Sequence, residues 1–167
     1  ALKAILQTQY LRYLIIASWA VGLLGVIGGI EALVWFVGTL AAGALRGVVE
    51  RRVSRRVDKG WGLIFPAVAT ITTAAWAVAP LLAWFSDNPF GSTAAIALLI
   101  GGYVLVFAQL RSSPRQALVI SSPYSAAALI MLGSLWGTPQ FWSLLALVPF
   151  TACLLYTSDA ADDSLRV

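Results

Sequence analysis

The stretch Arg46-Gly-Val-Val-Glu-Arg-Arg-Val-Ser-Arg-Arg-Val-Asp-Lys59 holds six of the eleven cations of the chain and lies between two long apolar runs. In membrane proteins, short loops rich in Lys and Arg stay on the cytoplasmic side. If the flanking runs cross a bilayer, this loop fixes the direction of every other segment. Composition makes the bilayer the expected solvent. Apolar residues make up 60% of the chain and charged residues 11%, against about 25% charged in soluble domains. The expected fold is therefore an all-α integral membrane protein of about six transmembrane helices, with both termini cytoplasmic.

Upstream of the loop, Tyr13–Leu45 carries one charge, Glu31, in 33 residues. As a single helix this run would measure about 50 Å, well over a hydrocarbon core of about 30 Å. Gly25-Val-Ile-Gly-Gly29 offers a break, because glycine suits tight turns. Two spans follow, about 11–27 and 30–49. Residues 1–12 read either as a short surface helix or as a lead-in to the first span.

Downstream, four more spans are expected, about 62–84, 93–110, 116–135 and 141–156. Pro66 falls near the start of the first of these, where a missing amide is tolerated, and Pro80 near its end is expected to bend or stop it. Ser86-Asp-Asn-Pro-Phe-Gly91 and Trp136-Gly-Thr-Pro-Gln140 are turn sequences. Residues 1–156 are thus expected to form one six-span membrane domain. The acidic segment 157–167 reads either as a cytoplasmic tail or as sequence not native to the protein, and the chain as a fragment of something longer.

With the N-terminus inside, all eleven cations fall in cytoplasmic segments, while Glu31 and Asp87 fall outside. Trp84, Trp136 and Trp142 then lie at the outer interface and Trp61 at the inner one, as aromatic belts require. Arg46, Arg51, Arg52, Arg55, Arg56, Lys59, Arg111 and Arg115 are the topology determinants. The i,i+4 spacing of Arg51/Arg55 and Arg52/Arg56 makes a basic helix face suited to anionic lipid headgroups. The lipid bilayer, not nucleic acid, is the partner this distribution implies.

Residues for catalysis are scarce. One cysteine (Cys153) and no histidine leave no His/Cys metal site, no Ser-His-Asp triad and no phospho-accepting histidine, and no cofactor motif is present. Neither lysine falls in a span. No enzyme activity is expected of this chain alone. Glu31 is either a proton or cation site on an internal cleft or an interfacial turn acid. Ser121-Ser122-Pro123-Tyr124 lies inside the fifth span, where Pro123 frees the carbonyl of Val119 and allows a kink. Tyr124, with Tyr103 from the fourth span, then lines a polar recess, or the serines simply bond between helices. Trp76 is either a pocket anchor or a packing residue. The candidate ligand or signal pocket is Glu31, Trp76, Tyr103, Ser122, Pro123 and Tyr124.

The layout resembles the six-helix N-terminal membrane region of alphaproteobacterial sensor histidine kinases. The likeness spans about Leu11–Phe150 and rests on two short spans with a tight outer turn, the Arg-rich loop Leu45–Arg56, and four further spans with the Arg111-Ser-Ser-Pro-Arg115 loop and the Ser122-Pro-Tyr124 kink. It implies a sensory or anchoring domain in the bacterial cytoplasmic membrane. It also implies a homodimer through kinase helices, which lie outside this chain with the catalytic residues. Two other readings fit the residues: a transporter fragment using Glu31 and the kinked fifth span, and a membrane scaffold subunit without a ligand.

Overall fold

A computed structural model of the chain describes residues 2–55, 64–109 and 114–145. These residues are all-helical, in the order α1 (Leu2–Ile27), α2 (Gly29–Arg55), α3 (Ile64–Trp84), α4 (Gly91–Gln109), α5 (Pro114–Ser134) and α6 (Pro139–Leu145). Four helical segments are long and apolar enough to cross a membrane: Gly29–Arg52, Ile64–Trp84, Gly91–Ala108 and Gln116–Ser134. The apolar part of α1, Arg12–Ile27, is shorter. Arg56, Lys59, Trp61, Arg111, most of the expected sixth span and the 157–167 segment lie outside the described residues, as do the side chains of Arg55 and Arg115.

The chain divides into two compact units, Ala1–Ala128 and Leu129–Val167. In the first, α3 packs on both α2 and α4, and α1 packs chiefly on α2. Sequence explains why α3 is central. Its buried positions are Ala69, Thr72, Thr73, Ala77, Ala79, Pro80 and Ala83, all small enough to let neighbouring backbones approach. Thr70, Thr72 and Thr73 each donate a hydroxyl to the carbonyl four residues back, at 2.8, 2.9 and 2.9 Å. Their polar atoms are thereby satisfied within the helix, as an apolar solvent demands. The indole N–H of Trp35 crosses from α2 to the carbonyl of Ala75 at 2.9 Å.

Helix α1 is continuous from Leu2, so the backbone of the segment read either as a surface helix or as a lead-in belongs to it. It stops at Gly28, whose φ of +100° a side-chain-bearing residue rarely adopts. The new helix begins at Gly29 with Glu31 in its first turn, where a carboxylate faces the positive end of the helix dipole. Pro80 does not stop α3, which continues to Trp84. The turn comes beyond it. Ser86 closes on the Ala83 carbonyl at 2.7 Å through its hydroxyl, and Asn88 accepts from the Phe90 amide at 2.9 Å. Asn88 also donates to the carbonyl of Gly25 at 3.1 Å. That bond brings the α3–α4 loop and the α1–α2 turn to one end of the unit.

In the second unit the carbonyl of Leu135 accepts from both the amide and the hydroxyl of Thr138, at 2.9 and 2.7 Å, and Gly137 sits at φ +83°. Pro139 opens α6, the position where proline costs a helix least. Phe141 meets Trp136 and Trp142 edge-on, with centroids 5.1 and 5.3 Å apart. Trp136 and Trp142 remain exposed.

Candidate functional site

A cavity of about 60 Å³ lies within the first unit, lined by residues of α1, α2, α3, α4 and α5. That is room for about four water molecules. Its wall is mostly apolar, with a polar minority. Arg12 and Tyr13 come from α1, Arg46 from α2, Thr72 and Thr73 from α3; Trp76, Val106 and Tyr124 supply much of the apolar side.

The charged end is built around one carboxylate. Arg12 Nη1 donates to both oxygens of Glu50 at 3.2 Å, and Arg46 Nε donates to Oε1 at 2.8 Å. Arg46 is buried, 9% exposed, and its guanidinium lies 5.9 Å from the centroid of Phe65. Arg46 and Glu50 are one helical turn apart on α2, whereas Arg12 reaches them from α1. The cluster therefore clamps the two helices at the end away from the Gly28 turn.

The aromatic end depends on two glycines. A Cβ on Gly102 would clash with the ring edge and hydroxyl of Tyr124, and one on Gly101 would lie 3.4 Å from Trp19. The pair makes a flat notch in α4 that admits rings from α1 and α5. Trp19 meets Trp76 edge-on at 5.2 Å, and Tyr124, 1% exposed, is among the largest fully buried side chains. Tyr103 touches Tyr124 with ring centroids 5.7 Å apart, and its hydroxyl shares a 2.8 Å hydrogen bond with Ser125.

Of the residues singled out from sequence, Trp76 and Tyr124 line the cavity. Tyr103 stands behind Tyr124. Pro123 is half-buried inside α5, and Ser122 is exposed. The hydroxyl that bonds backward is that of Ser121, to the carbonyl of Leu118 at 3.1 Å, not to that of Val119. Glu31 is exposed in the first turn of α2, about 22 Å along the helix from Arg46. Arg51 and Arg52 are exposed, and Arg51 Nε donates to the carbonyl of Gly47 at 3.1 Å. Of the arginines on α2 whose side chains are described, Arg46 lines the cavity and Arg51 and Arg52 do not. The residue missed was Glu50, and the i,i+4 spacing from Arg46 was the available signal. Arg12 carried no such local signal. Its partner is 38 residues away.

No protein-family model, no curated protein and no solved structure matches the chain.

Proposed function

We propose that the chain is a six-span domain of the bacterial cytoplasmic membrane, with both ends inside, serving as the sensory or anchoring input region of a two-component sensor kinase. The cavity carries this reading. Five helices contribute to its wall, so a molecule that fits one arrangement of those helices better than another shifts the balance between them. A helix leaving the membrane transmits that shift. The transporter reading draws less support, because Glu31 is exposed in the first turn of α2 and does not line the cavity.

The orientation rests on the distribution of charge between the two ends of the first unit. The Gly28 turn and the Asn88 loop share one end, and Arg12, Arg46, Arg51 and Arg52 occupy the other. Cations retained at one end are what insertion from the cytoplasm produces. The coding sequence beyond Phe150 tests the function directly. A phospho-acceptor histidine segment followed by an ATP-binding region is expected there, and further hydrophobic spans in its place would refute the kinase assignment.

A further inference from the structure

The hydroxyls on the cavity wall match an occupant that both gives and takes hydrogen bonds. Thr72 and Thr73 line the cavity, and each donates its hydroxyl proton to a backbone carbonyl of its own helix at 2.9 Å. Toward the cavity they can therefore only accept. Tyr124, on the same wall, is 1% exposed. Its hydroxyl has no hydrogen-bond partner among the described residues, so it has a proton to give and an unmatched polar atom to satisfy. It sits against the backbone of α4, where a Cβ on Gly102 would stand 2.6 Å from its oxygen. All three hydroxyls lie near the middle of their 21-residue helices, at a depth where lipid tails offer no partners.

From this match we infer that the cavity is an internal hydration site. Its occupant accepts from Tyr124 and donates to Thr72 and Thr73, and so joins α5 to α3 halfway along both helices. Water meets every requirement. A volume of about 60 Å³ holds up to about four water molecules, each needing two to four polar partners, and leaves no room for a larger ligand. An apolar occupant would leave the phenol unmatched. The inference goes beyond the sensory reading and does not rest on it, because hydration follows from the cavity wall alone.

The test is X-ray radiolytic labelling of the 167-residue chain in phosphatidylcholine nanodiscs, read residue by residue by mass spectrometry. Radiolysis makes hydroxyl radicals from water in place, so a buried side chain is oxidised only where water touches it. Tyr124 should be labelled several-fold faster than Trp35, which is 5% exposed, donates its indole N–H to the Ala75 carbonyl and does not line the cavity. Gly43 does line it, and a Cβ there has its nearest neighbour, Tyr13 Cε1, at 4.0 Å. Gly43→Val therefore displaces water without removing a polar group, and should lower the Tyr124 rate several-fold. Tyr124→Phe separates a wet cavity from a dry one by sign. With water present the substitution loses a hydrogen bond and the denaturation midpoint falls; in a dry cavity it removes an unmatched polar atom and the midpoint rises. If Gly43→Val does not fold, the other two measurements decide. Tyr124 labelled no faster than Trp35, a rate unmoved by Gly43→Val, or a midpoint that holds or rises in Tyr124→Phe would overturn the hydration site.

Discussion

Thr39 and Thr72 carry the same side chain into the interior of the first unit, and only one of them finds partners. Thr72 Oγ1 lies 2.9 Å from the Val68 carbonyl and 3.4 Å from that of Ala42 across the α2–α3 contact. Thr39 is 1% exposed, and its hydroxyl has no hydrogen-bond partner among the described residues. A buried polar atom left unmatched is a cost that an apolar group of the same shape removes. Thr39→Val is therefore expected to stabilise the protein by up to about 1 kcal/mol. Thr72→Val should cost about 0.6 kcal/mol, the scale of hydrogen bonds measured between membrane helices. Denaturant titration of the two variants in mixed micelles gives both signs. Equal effects would mean that the two hydroxyls do not differ in this way.

At the scale of the helix, the junction of α1 with α2 is a single residue. Gly28 takes a φ of +100°, and a Cβ there would stand 3.2 Å from Glu31 Oε2. Gly29 has nothing within 4 Å of the same position and already belongs to α2. Gly28→Ala should thus destabilise by about 1–2 kcal/mol, and Gly29→Ala should stabilise by about 0.5–1 kcal/mol. Thermal unfolding in detergent, followed by circular dichroism, separates these adjacent substitutions. The helices and this break were legible because both are local. Apolar runs name the helices, and clustered glycines name the turn. The start of α1 was less so, because Lys3, Gln7, Gln9 and Arg12 interrupt the apolar pattern while backbone hydrogen bonding continues through them. Pro80 was legible only in part: the expected span reached Trp84, as α3 does, because a helix packed on two neighbours tolerates a missing amide that would end an isolated one. The cavity was the hardest to read. Arg46 looked like a boundary charge, and only helix phase, together with Arg12 arriving from another helix, turns it inward.

Over the whole molecule, the strongest feature is what the surface lacks. Val21, Ile30, Val34, Ile71, Val104 and Leu129 are among many large apolar side chains that remain 58–77% exposed. Water would charge a large free energy for that much hydrocarbon, at about 25 cal/mol per Å², whereas lipid tails charge almost none. Several polar groups, by contrast, turn inward, as Thr72 and Thr73 of α3 and Arg46 do. A membrane accounts for both facts at once, and the proposed multi-span arrangement then links the ends of the helices to the two sides of the bilayer. Antiparallel neighbours joined at Gly28 must carry Arg12 and Arg46 on the same side, and the Asn88–Gly25 bond puts the α3–α4 loop on the opposite side. Reporter fusions make this testable in cells. Phosphatase fused after Ile30, Asp87 or Gly137 should be active, because the proposed orientation puts each of those junctions in the periplasm. Fusions after Ser54 or Ser113 should be silent, with a cytoplasmic fluorescent reporter giving the reverse pattern. The junctions at Ile30 and Asp87 are coupled through the Asn88–Gly25 bond, so a phosphatase signal at one without the other would contradict the helix arrangement itself. The same signal lost at both, with activity gained at Ser54, would keep the arrangement but invert it, and only the charge-based orientation would then have to be abandoned.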